Sequence, residues 1–272
     1  MRGHDIMLVE RHARPRGATV RNFGQVTPSG LDTRWQTFRR RSLEIYKELQ
    51  SQQNLTVCQH CSIYITSDDE ESTLLHEMHA INWANGYDSQ MLTAAQCRQR
   101  YPNLRGDYVR CGLLYPQEMS VDPRQMIHRL QNWLSHCGKV RLQFGTQVNH
   151  LDPAGEGQSD HAIAWCSNGT RIAARHIILC CGHEFGTLFP ERFQHSDIQR
   201  VRLQMLRLRP TPGITMPGDI LTDLSVRWYE CFSQCPSWSE IKSREPNDSF
   251  EKQWGIPILF KQEPDGSVIL GD

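Results

Sequence analysis

The sequence of 272 residues contains no run of about 18 apolar residues, which excludes a transmembrane helix. It has no surplus of charge either. Lys and Arg together number 30 and so do Asp and Glu, so neither nucleic acid nor an anionic membrane is an expected partner. Arg2, Asp5, Glu10 and Arg11 interrupt the apolar stretch a secretory leader needs, and a cytoplasmic protein is expected. P-loop, G-x-S-x-G and H-E-x-x-H patterns are all absent. Hydrophobic content is low at 38%, yet seven Trp and nine Phe argue against disorder. Ten cysteines, spread over a long chain without an export signal, read as reduced thiols and not as a disulfide framework. At this length one large domain or two modest ones can bury a core.

What is present is organised around the first 24 residues. Arg2-Gly3-His4 reads as a helix tail, 6–9 as a short apolar strand ending in Glu10, and the rest as a basic loop closing on Arg21-Asn22-Phe23-Gly24. Apolar residues spaced between charges predict a helix over 33–53, capped by Asp32 or Thr33. A strand is expected at 57–66, and a helix at 68–85 with acidic residues in its first turn. A short helix over 93–100 takes Thr93 as cap, and a strand follows at 108–115. Asp122-Pro123 opens a helix whose buried face is Met126, Ile127, Leu130, Trp133 and Leu134, with Cys137-Gly138 as its stop. Next come a strand over 140–148 and a hairpin of 161–166 with 171–181, turning at Asn168-Gly169. Within it His176 to Cys181 is continuous enough for a buried parallel strand. Alternation over 199–209 predicts a half-buried strand, 210–218 a loop, and 220–232 and 256–261 further strands. Asp265-Gly266 turns into a last strand, SVILGD.

An acid at the end of a second strand is where a dinucleotide-binding βαβ unit holds a ribose hydroxyl pair, although a surface carboxylate is the commoner role for such a residue. Arg21 to Gly24 combine a forked cation, an amide and a permissive glycine, which suit a pyrophosphate, a flavin ring edge or any tight turn. Gly182, directly after an apolar strand, permits close approach of a ligand to backbone. Cys58-x-x-Cys61 allows a redox pair or half a zinc site, but no second pair lies at finger spacing and the motif sits in a strand pattern. Cys180-Cys181 reads as core packing, Cys231 and Cys235 as structural, and His76 and His79 as solvated. No metal ligand set is assigned.

Taken in order, RGHDIMLVERHARPRGATVRNFG, SVDPRQMIHRLQNWL, VRLQFGTQVNHL, ARHIILCCGHEFGTLFP and VRLQMLRLRP resemble FAD-dependent oxidoreductases of the D-amino-acid oxidase, glycine oxidase and sarcosine oxidase type. The resemblance covers most of residues 1–210. It implies an α/β fold (α+β overall) in which a parallel FAD-binding sheet is interleaved with an antiparallel substrate-binding sheet. The FAD part takes 1–45 and 120–205, the substrate part 46–119 and 206–272. It implies FAD contacts at Glu10 (ribose), Arg11, Arg21, Asn22, Phe23 and Gly24 (pyrophosphate or ring edge), Val148 (adenine, through its backbone) and Gly182. The implied substrate is a small amine or amino acid whose hydride passes to the flavin, with no side-chain nucleophile required. The RNFG form and the HEFGTLFPE ending are most similar to a subgroup found beside phosphonate-catabolism genes. The G-x-G-x-x-G that wraps the FAD pyrophosphate is missing, as is the family's C-terminal stretch, so a truncated chain is expected. A non-catalytic remnant that binds no FAD is the alternative.

Overall fold

The structure, a computed structural model, describes residues 3–153, 160–246 and 248–271. In chain order the strands are β1 (Ile6–Val9), β2 (Gln25–Val26), β3 (Ser62–Ile65), β4 (Gln90–Thr93), β5 (Cys111–Tyr115), β6 (Met119–Ser120), β7 (Val140–Gln143), β8 (Val148–Asp152), β9 (Ala162–Cys166), β10 (Arg171–Ala174), β11 (Met205–Leu208), β12 (Asp219–Leu221), β13 (Leu259–Gln262) and β14 (Val268–Gly271). The helices are α1 (Thr33–Gln52), α2 (Asp69–Ala84), α3 (Ala94–Arg100), α4 (Pro123–His136), α5 (Pro190–Gln194), α6 (Asp223–Trp228), α7 (Trp238–Arg244) and α8 (Phe250–Trp254). Helices, parallel pairs and antiparallel sheets occur together, the α/β (α+β) class expected. The chain divides into two compact units, 1–22 with 123–202 and 23–122 with 203–272.

In the first unit β1 pairs in parallel with β7, Ile6 opposite Val140 and Val9 opposite Gln143. Helix α4, starting at Pro123, packs on β7 and half-buries the apolar face expected of it. The strand expected over 140–148 is two strands. Gly145 takes a left-handed φ of +66°, and the chain turns there from β7 into β8. β8, β9 and β10 form an antiparallel meander, with Asn168-Gly169 at the predicted hairpin turn and Gly169 at φ +80°. At the N-terminus Arg2 lies outside the described residues, and Gly3 and His4 are not helical.

The run 176–181 is not a buried strand, and Cys180 and Cys181 are exposed, not core residues. Ile178 is 84% exposed. A buried parallel strand needs hydrogen-bonding neighbours. The only partner of β1 among the described residues is β7, and no strand pairs with 176–181.

The second unit holds a seven-stranded sheet in the order β11-β14-β13-β12-β3-β5-β4, antiparallel except between β12 and β3. One face packs on α2, α6 and α7 through Tyr64, Leu74, Leu113, Leu221 and Phe232. The other covers Ile63, Cys97, Tyr101 and Ile220. Each such fully buried large apolar side chain contributes about 1.5–3 kcal/mol. Asp32 caps α1 by accepting from the Arg34 and Trp35 amides. Asp68 with Glu71, and Thr93 with Gln96, close full capping boxes on α2 and α3.

Strand expectations shorten here. The strand over 57–66 begins only at Ser62, because Cys61 sits at φ +73°. Of 199–209 only Met205–Leu208 pairs, on the outer edge of β14. The stretch 220–232 is strand only at Ile220 and Leu221, the end of β12, before Thr222-Asp223 starts α6, a polar helix signal that the apolar content masked. A two-stranded ribbon, β2 with β6, completes the unit.

Candidate functional site

In the first unit the residues after β1 and those after 176–181 meet. Glu10 extends the β1–β7 ladder, its amide donating to the Gln143 carbonyl at 2.8 Å and its own carbonyl accepting from Thr146 at 3.0 Å. Its Oε1 accepts the His12 amide at 2.8 Å, which fixes the half-buried carboxylate at the strand end. Arg11 Nη1 donates to Glu184 Oε2 at 2.6 Å, and that guanidinium holds the Glu184 carboxyl below its ordinary range. Gly182 (φ +58°) opens the turn, closed by the Glu184 amide on the Cys181 carbonyl, and Gly17 (φ +69°) lies against His183. Arg21 is exposed. Asn22 is turned back on its own loop, donating to the carbonyls of Ala18 at 2.7 Å and Thr19 at 3.2 Å.

Val148 begins β8, the edge strand of its meander. Ser167 donates to the Gln147 carbonyl, which makes 147 and 167 a hydrogen-bonded pair. By alternation the neighbouring pair, Val148 opposite Cys166, is non-bonded, so the Val148 amide and carbonyl face the open edge. A carboxylate that accepts, and a backbone amide and carbonyl that face outward, are the kinds of group that a ribose diol and an adenine edge can use.

Phe23 and Gly24 belong to the second unit. Phe23 is buried, Gly24 has φ +77°, and its carbonyl accepts the Val121 amide at 2.8 Å, the last rung of the β2–β6 ribbon. Three buried charged side chains hold this ribbon. Lys261 Nζ donates to the Phe23 carbonyl at 3.1 Å, the Val121 carbonyl at 2.5 Å and Glu263 Oε1 at 3.1 Å. Asp219 Oδ1 lies 3.1 Å from His60 Nε2, which is also 3.2 Å from Ser120 Oγ. Burial pushes the Asp219 carboxyl above its ordinary range, with His60 opposing. Glu118 accepts from the Ser29 amide at 2.8 Å, from Tyr87 Oη at 2.9 Å and from Ser62 Oγ, and burial pushes it up as well.

Sequence reading missed these three. Lys261 was detectable, because period two puts it on the same face as Leu259, a core position. Glu118 and Asp219 carry no comparable signal. Cys58 is exposed, and Cys61 is buried with Arg100 Nη2 at 3.3 Å from its sulfur. Among the described residues no group of three or more His, Cys, Asp or Glu could hold a metal ion, and no helix is long and apolar enough to cross a membrane.

A family model described as FAD dependent oxidoreductase, DAO, matches residues 1–229. Glycine oxidase from Bacillus cereus superposes with a TM-score of 0.73 at 13% identity, covering 99% of this chain and 64% of that one. L-proline dehydrogenase from P. horikoshii gives 0.74 at 13%, covering 99% and 63%. L-amino acid deaminase from Proteus vulgaris gives 0.71 at 14%, covering 99% and 55%. The chain therefore spans less than two thirds of these structures, and at such identity the likeness carries the fold. No curated protein sequence matches.

Proposed function

Because the chain belongs to the DAO family of FAD-dependent oxidoreductases, we propose that it serves the oxidation of a small amine or amino acid, with FAD as cofactor. Bound FAD supplies the two-electron acceptor for the substrate's carbon–hydrogen bond. The observation that carries this is the position of Glu10, at the C-terminal end of a parallel strand with its carboxylate held by one backbone amide. Glu10 takes the ribose hydroxyls and the outward backbone of Val148 the adenine. Arg11, Arg21, Asn22 and Gly182, in the loops of the same unit, are assigned to the phosphates, and Phe23 and Gly24 to the ring edge. The unit of 1–22 and 123–202 is read as the cofactor part and the other as the substrate part.

An amino-acid or amine substrate is supported by the structural neighbours, named as glycine oxidase, proline dehydrogenase and amino acid deaminase. A link to phosphonate catabolism rests on the RNFG and HEFGTLFPE segments, and a cytoplasmic location on ten free thiols. The test is anaerobic mixing of the flavin-loaded chain with a panel of amino acids, aminophosphonates and simple amines. Bleaching of the flavin band by one class identifies the substrate, and bleaching by none sinks the reading.

A second reading is a chain that takes up no flavin. It is favoured by the exposed run 176–181, with which no strand pairs among the described residues.

A further inference from the structure

We propose that Lys261 is the positioning residue of the Phe23–Gly24 segment, its buried ammonium locking the open end of the β2–β6 ribbon. Lys261 is 2% exposed and projects from the core-facing side of β13, where Leu259 is an ordinary apolar core residue. A methionine or leucine there would fill similar volume without the desolvation that an ammonium suffers. The ammonium is retained with all three of its N–H donors committed, to the Phe23 carbonyl, the Val121 carbonyl and Glu263. Glu263, 7% exposed, supplies the balancing charge.

The two carbonyls lie at matching ends of the ribbon. Phe23 comes just before β2 and Val121 just after β6, where the ladder has run out. Gly24 stands between Phe23 and β2 with φ +77°, a conformation with no Cβ to restrict it. Fixing the Phe23 carbonyl fixes the plane of the Phe23–Gly24 peptide, since that bond does not rotate. Lys261 thus removes the freedom that Gly24 introduces. The part of the inference that concerns cofactor rests on the functional reading above, which assigns this peptide to the flavin ring edge; the lock itself does not.

The test compares the full chain with Lys261→Met and with Lys261→Arg, first without flavin. Amide hydrogen exchange at 22–26 and 119–122 is expected to quicken about tenfold or more in Lys261→Met, the effect of losing one charge-assisted hydrogen bond, with α2 unchanged. Lys261→Arg recovers part of the protection. Unchanged exchange in those segments, or an equal rise in α2, overturns the proposal. Should Lys261→Met not fold, the wild-type protein decides. A slowly exchanging Lys261 ammonium resonance, coupled across hydrogen bonds to the carbonyl carbons of Phe23 and Val121, supports the lock, and a freely exchanging ammonium overturns it.

With FAD added, Lys261→Met is expected to alter the shape of the bound flavin's visible band, and identical spectra overturn the positioning of the ring edge. A wild-type chain that takes up no flavin refutes the functional reading, while the exchange result still supports or overturns the lock.

Discussion

Arg227 Nε donates to Glu71 Oε1 at 2.7 Å, joining α6 to the first turn of α2 at a carboxylate only 2% exposed. The same guanidinium reaches Asp68 Oδ2 at 2.6 Å and Glu245 Oε1 at 3.3 Å. Asp68 and Glu71 are the capping box of α2, so one cation ties that helix start to α6 and to the residue that ends α7. A cavity of about 460 Å³ beside it is lined by Trp228, Lys242 and Ile256.

Replacing Arg227 by Met leaves the buried Glu71 without its counter-charge. Burial already pushes the Glu71 carboxyl up, and Arg227 is the main cation opposing this. The expected loss is about 2–3 kcal/mol, less than for a wholly buried pair because Arg227 is partly solvated. Urea unfolding measures it, and a loss under about 0.5 kcal/mol, the size of a surface substitution, counts against this role.

Gly218 stands where a Cβ would lie 2.6 Å from the His60 carbonyl and 2.8 Å from that of Cys61. Gly218→Ala must therefore push β12 away from residues 60–61, at a cost of about 1–3 kcal/mol. The His60–Asp219 contact at 3.1 Å lengthens with it. Thermal unfolding and the His60 ring resonances report the two effects, and a variant as stable as the parent disproves the tight approach.

The pH dependence runs in opposite directions for two carboxylates. Glu184 is held below its ordinary value of 4.5 by Arg11, so its contribution is present above that value and is lost as pH falls through the lower, folded one. Arg11→Ala is expected to raise Glu184 toward the ordinary range in a carboxyl-carbon titration, the Gly186 amide still holding it part of the way down. An unmoved midpoint contradicts the pairing.

Glu118 is raised by burial, so the folded chain keeps a proton that the unfolded chain has released. Stability therefore falls as pH rises from the ordinary 4.5 toward the raised value. Glu118→Gln removes this part of the slope. An identical slope in parent and variant means that Glu118 does not titrate in this way.

Local signals account for what the sequence made legible. Asp68 with Glu71 and Thr93 with Gln96 are contacts within one helical turn, and Asn168-Gly169 is a turn whose chemistry lies in two residues. The failures come from partners. HIILCC has the composition of a buried strand but, among the described residues, no neighbour to pair with, so composition alone misplaced Cys180 and Cys181. The break at Gly145 was hidden because apolar residues continue on both sides of it. Lys261 meets the Phe23 carbonyl across 238 positions of sequence, a relationship no window of local pattern contains. Glu10 and Val148 were named from sequence, and the structure puts them at a strand end and at an open sheet edge.

The central claim is that the first unit recognises the adenosine half of FAD through Glu10 and Val148. Equilibrium dialysis of the purified chain against FAD and, separately, against FMN tests it most directly, since FMN lacks the adenosine. FAD is expected to be retained and FMN not, with Glu10→Ala weakening FAD retention about tenfold or more through loss of the charged acceptor. Equal retention of the two flavins, or none of either, contradicts the account.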